Sequence, residues 1–169
     1  MKNGAILLTF FLILTATELP LHSAKSSSAL YREGAKQALN GQIDEAISKF
    51  LQAVRISPYY ALGHYGLGKC YLYKQGRLED AVKHLKKSTV LDKRNPKGFF
   101  YLGMAYLLSK KYIPAIHAFD EAYKQDKSYI EALYNIGVIY DIMRSHHRSS
   151  RYFEKYIARK QKDKLDILF

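Results

Sequence analysis

Apolar residues along this chain recur at alternating long and short steps that a helix places on one face. Ile43, Ala46, Ile47, Phe50, Leu51 and Val54 are separated by 3, 1, 3, 1 and 3 residues, which predicts an amphipathic helix. Leu78, Ala81, Val82, Leu85 and Val90 repeat the pattern, and Leu30, Gly34, Ala38 and Leu39 also fall on helical spacing. A denser apolar run, beginning near Tyr59, carries Leu62, Tyr65, Leu67, Cys70, Tyr71 and Leu72. Turn signals separate these runs. Asn40-Gly41 and Gln75-Gly76 tolerate positive φ, and Ser109-Lys110-Lys111 and Arg144-Ser145 take the same place later in the chain. Ser57-Pro58 ends a helix, because the residue before proline is pushed out of the helical region. Pro96 and Pro114 suit first turns, where a missing N–H costs little. No segment alternates with the period of a strand. The pattern predicts an all-α chain of about eight helices in antiparallel pairs.

One stretch organises these helices. Leu133-Tyr-Asn-Ile-Gly137-Val-Ile-Tyr140 repeats Phe99-Phe-Tyr-Leu-Gly103-Met-Ala-Tyr106, which repeats His64-Tyr-Gly-Leu-Gly68-Lys-Cys-Tyr71. A weaker copy is Leu30-Tyr-Arg-Glu-Gly34-Ala-Lys-Gln37. The glycines Gly34, Gly68, Gly103 and Gly137 lie 34, 35 and 34 residues apart. A fixed period of that size marks an array of helical repeats, each stacked on its neighbours.

The period, the paired helices and the residue types resemble the tetratricopeptide repeat (TPR) family. Four copies run over about 27–60, 61–95, 96–129 and 130–163. The third matches the family pattern best, with Phe99, Leu102, Gly103, Tyr106, Ala115, Phe119 and Ala122. Departures are Glu33 and Gln37 in the first copy, one inserted residue at the turn of the second, and Ser149 and Tyr156 in the fourth. The resemblance implies a right-handed α-solenoid of four helix pairs over 30–163. The first helix of each pair (helix A) would line a concave groove, and the second (helix B) would face outward. Glycine at repeat position 8 and alanine at 20 would let the two helices approach closely.

The resemblance also implies which residues face the groove, those at repeat positions 2, 5, 6, 9, 12 and 13 of helix A. Repeat position 5 reads Tyr31, Tyr65, Phe100 and Tyr134, an aromatic in every copy. Lys69, Lys97, Tyr101, Met104 and Asn135 join them as candidate partner-binding residues, with Tyr73, Leu107 and Asp141 nearby. Aromatic and methionine side chains in an open groove suit an apolar or amphipathic peptide. The alternative is that position 5 is scaffold, packed between helices. The lysine and asparagine set with which some TPR proteins clamp a C-terminal carboxylate is mostly missing. Tyr31, Ala35, Gly66 and Tyr101 occupy its places, and Lys97 is the single match.

Composition adds a direction of export. Ala5–Thr17 is an uncharged apolar run of 13 residues behind Lys2, the length of a signal-peptide core and short of the roughly 20 residues that span a bilayer. Residues 1–24 are therefore expected to be a signal peptide cleaved after Ala24, with Ala29 as the other candidate site and an uncleaved anchor as the other reading. Residues 25–29 read as a polar linker. Export would place the protein in a periplasm or cell envelope.

The net charge is +12, and removing Lys2 and Glu18 with the leader leaves it at +12. A balance this basic favours anionic partners. Arg144, Arg148, Arg151, Lys155, Arg159 and Lys162 step by 4, 3, 4, 4 and 3 residues, which puts all six on one helical face as a basic stripe. It is either a solvated face or a surface for an acidic partner or an anionic membrane. Leu165-Asp-Ile-Leu-Phe169 then ends the chain as a short apolar tail over 164–169.

No catalytic constellation stands out. The histidines lack metal-ligand spacing, the glycines sit at packing positions, and Cys70 lies among apolar neighbours as a small core residue. The expectation is a non-enzymatic interaction module or scaffold that takes a protein or peptide in its groove. A peripheral protein using the basic stripe on anionic lipid is the alternative. No cofactor, metal, nucleic acid or small-molecule substrate is expected.

Overall fold

A computed structural model describes residues 26–166, with side chains described to residue 162. The expected signal segment and residues 167–169 of the apolar tail lie outside the described residues, and 164–166 continue the last helix. Eight helices and no strand occur among the described residues. Helix α1 occupies 26–39. It is followed by α2 (Ile43–Ile56), α3 (Ala61–Leu72), α4 (Leu78–Leu91), α5 (Pro96–Leu108), α6 (Tyr112–Gln125), α7 (Ile130–Ile142) and α8 (His146–Asp166). Two compact units are distinguished, divided after Gly66.

The four A-to-B turns share one device. Gly41, Gly76, Lys110 and Arg144 all have positive φ, at 79°, 74°, 57° and 57°. The first two copies meet this left-handed requirement with glycine and the last two with lysine and arginine, at some cost in strain. At the start of α5, Pro96 occupies the first helical position and the Asn95 side chain accepts a hydrogen bond from the Gly98 amide at 3.2 Å.

In the first unit, α1 packs on α2 through Gly34, where an added Cβ would stand 2.8 Å from the Phe50 ring. Gly66 of α3 presses on the same ring, also at 2.8 Å. Residues 26–29, expected as a linker, belong to α1. Ser27 is buried, donates a hydrogen bond to the Ala53 carbonyl at 3.1 Å and lies 2.8 Å from Ser57 Oγ. Those partners satisfy its hydroxyl and hold the start of the helix against α2. Glu33, which departs from the repeat pattern, pairs instead with Lys49 at 2.8 Å across the helix pair. Leu39, placed on the apolar face by its spacing, is 88% exposed at the last turn of α1.

In the second unit each helix packs on those next to it in the chain: α4 on α5, α5 on α6, α6 on α7 and α7 on α8. Ala115, Ile116 and Phe119 of α6 meet Ala132, Ile136 and Ile139 of α7 in one core cluster. Ala81, Ala115 and Ala122 are fully buried at the small-residue positions. A Cβ on Gly103 or Gly137 would lie 2.7 Å from Phe119 or Phe153. The close approach thus seats the glycine of helix A on the large residue at position 24 of helix B. Val90, expected on the apolar face of α4, is 58% exposed, as it lies on the last turn of that helix.

Candidate functional site

The position-5 aromatics are built in a common way. Tyr31, Phe100 and Tyr134 each pack on the position-24 phenylalanine of their own repeat, with ring centroids 5.5 Å from Phe50, Phe119 and Phe153 respectively. A tyrosine just before the next A helix closes a second side. Tyr60 stands 6.1 Å from Tyr31, edge-on, and Tyr129 stands 5.6 Å from Phe100. Tilted and edge-to-face rings are favourable arrangements. Burial raises the phenolic pKa of Tyr31, assisted by Tyr60, and burial followed by Asp126 raises that of Tyr129. These phenols stay neutral at ordinary pH and present hydroxyl groups, not charge. In the fourth repeat no A helix follows α8 among the described residues, and Tyr156, at a position where alanine is usual, lies 5.5 Å from Tyr134 instead.

Position 5 is therefore half scaffold, and its exposure varies. Tyr134 is 47% exposed, Tyr31 and Phe100 are half-buried, and Tyr65 is 9% exposed. Tyr65 does not fit the expectation of an open groove residue. It sits in α3, where every residue from 63 to 68 is buried, so no face of that turn is left for a ligand.

Five of the expected groove residues do converge. Phe100, Tyr101 and Met104 from α5 with Tyr134 and Asn135 from α7 line one open cavity of about 380 Å³. Leu72, Tyr73, Leu108 and Glu131 complete it. The Asn135 amide nitrogen lies 3.7 Å from the Met104 sulfur, a weak contact that leaves most of the amide's capacity unused. The Lys69 ammonium sits 5.0 Å from the centre of the Tyr101 ring, a cation–π contact that places one positive charge beside Tyr101. Lys97 is exposed and is not among the residues lining the cavity. Leu107 turns into the core cluster, while Asp141 lies 3.3 Å from His146 near the far end of α7. The cavity can hold apolar and aromatic side chains of a ligand, with Asn135 and Glu131 available for its backbone or for a cation.

The basic stripe is broken at its start. Arg144 is the left-handed residue of the turn before α8, with φ 57°, so it shares no helical face with the other five cations. Arg148 lies 5.6 Å over the Tyr140 ring and Arg151 is exposed. Lys155, Arg159 and Lys162 line a cleft between α8 and α6.

No group of three or more potential metal ligands occurs among the described residues. Cys70 is 4% exposed, and burial pushes its thiol up to about 11. A thiol so protonated is a poor nucleophile.

Known proteins place this geometry. A TPR-repeat model matches residues 71–110, and a tetratricopeptide-repeat model matches 130–163. The crystal structure of MamA is 30% identical, with a TM-score of 0.70 over 76% of this chain and 74% of that one. The chain belongs to the tetratricopeptide-repeat family. Its all-α TPR solenoid is also that of YrrB, described as a TPR protein with an unusual peptide-binding site, at 22% identity and TM-score 0.72 over 89% of this chain and 82% of that one. Among curated relatives, anaphase-promoting complex subunit 3 of Schizosaccharomyces pombe is 25% identical over 69% of this chain. The chain spans 17% of that relative's length.

TPR positions explain what was missed in the cavity. Leu72, Leu108 and Glu131 occupy positions 12, 13 and 2, which the family pattern already assigns to the groove. Gly66 has a separate role. It occupies the place of a clamp asparagine, but a Cβ there would collide with three atoms of Phe50 at 2.8 Å. The close packing of α3 on α2 has no room for the clamp residue.

Proposed function

We propose that this chain is a non-catalytic TPR scaffold that binds an apolar or amphipathic peptide segment between α5 and α7. TPR repeats are typically interaction modules with extended binding surfaces. The observation that carries the reading is the aromatic cavity of about 380 Å³, with Tyr134 and Phe100 anchored on Phe153 and Phe119. Anchoring matters because a ring already held by the core loses little freedom when a ligand covers it. The peptide-binding site described for YrrB is in keeping with this use of the fold.

The proposed setting is the cell envelope, after export directed by Lys2 and Ala5–Thr17. Burial of Ser27 against Ala53 and Ser57 favours cleavage after Ala24. Cleavage after Ala29 would remove the Ser27 hydroxyl and the first turn of α1.

Selection of a random peptide library on the immobilised protein tests the binding reading. Selected peptides should carry aromatic or large aliphatic anchors and should lose about tenfold or more in affinity to a Tyr73→Ala, Tyr134→Ala variant of unchanged helix content. Peptides that bind the variant as well as the parent would remove the α5–α7 cavity as the site.

A further inference from the structure

The cleft between α6 and α8 gathers cations that no single helix carries. Lys155, Arg159 and Lys162 of α8 face Lys124 of α6 and Lys127 of the loop after it, around a volume of about 610 Å³. Among the described residues the lining holds a single carboxylate, Asp120, already engaged by Lys124 at 2.6 Å. Two of the cations are held by aromatic faces. Lys127 stands 4.3 Å over Tyr123, and Lys155 stands 4.9 Å over Tyr152. A recess in which one sign of charge predominates focuses its potential and concentrates counter-ions of the opposite sign.

The geometry points to this cleft as a second docking site, for a short acidic segment of a partner protein rich in aspartate and glutamate. Charge complementarity selects the sign of the ligand, and shape selects its class. A bilayer is broad and flat, whereas these groups line a recess between two helices, with Leu133 and Ala158 among its lining residues. An extended acidic segment places successive carboxylates against Lys124 and Lys127 on one wall and against Lys155, Arg159 and Lys162 on the other. Arginine and lysine both bind carboxylates through charge-assisted hydrogen bonds. The site is separate from the aromatic cavity and shares no lining residue with it.

Fluorescence anisotropy of a labelled peptide of alternating aspartate and glutamate, titrated with the full chain, tests the assignment. Binding should appear at low salt and weaken as salt is added. A Lys155→Gln, Arg159→Gln variant should lose about tenfold or more in affinity. An Arg148→Gln, Arg151→Gln variant removes the same charge from the same helix outside the cleft and should keep its affinity. Lys127→Gln, in the loop, should weaken binding without touching α8. Equal losses in the two double variants would reduce the effect to bulk charge and overturn the site. So would absence of binding at low salt. Binding to phosphatidylglycerol vesicles with none to the peptide would assign the cations to a membrane and equally overturn it.

Discussion

The α5–α7 cavity and the α6–α8 cleft are built by the same repeat from opposite materials. In the cavity the lining rings are continuous with the core: Phe100 rests on Phe119 and Tyr134 on Phe153. In the cleft the lining charges are cations on flexible stems, steadied at two points by tyrosines. A change at the cavity therefore reaches into stability, while a change at the cleft should alter binding and leave the fold alone. One repeat unit can serve both because its A and B helices contribute to different surfaces.

The comparison can be broken most sharply at Phe119. This ring is fully buried, supports Phe100 and covers Gly103. Phe119→Ala should cost about 3–5 kcal/mol in urea unfolding and weaken groove peptides as Phe100 loses its support. Gly103→Ala should cost about 1–3 kcal/mol by forcing α5 and α6 apart, read as a lowered melting temperature. Lys155→Gln should change stability by under about 1 kcal/mol, since this cation is exposed, unlike the half-buried Arg159. A large loss there would show that the cleft, too, is structural. Smallest is Lys110→Gly, which relieves a left-handed lysine at some cost in unfolded-chain entropy and should stay within about 1 kcal/mol of the parent.

Cys70 supplies a pH test of core burial. Its thiol is neutral when protonated, and burial raises its pKa from 9.0 to about 11. The unfolded chain therefore releases the proton first as pH rises. The stabilisation is complete below pH 9 and is lost progressively on the way to about 11. Cys70→Ala should flatten that part of the stability profile in denaturant melts.

Much of this architecture could be read along the chain. The 34- and 35-residue glycine spacing placed every helix pair, and the turn residues Gly41, Gly76, Lys110 and Arg144 fell where the chain reverses. Local periodicity is sufficient there because each repeat contacts its neighbours in sequence. Five cavity residues were also legible, from the family's groove positions. Tyr65 was not, because its enclosure depends on how α3 is surrounded and not on its repeat position. Arg144 was misplaced because a step of four residues reads the same across a turn as along a helix.

The chain by itself thus determined the fold class, the order of the helix pairs and the small residues at which helices touch. These follow from spacing, and spacing is a property of one dimension. The tertiary structure decided which aromatics are left open, set Tyr60 and Tyr129 behind position 5, and brought Lys124 and Lys127 to cations a repeat away on α8. Burial and charge focusing depend on what stands opposite a residue, and that is set only when the helices have stacked.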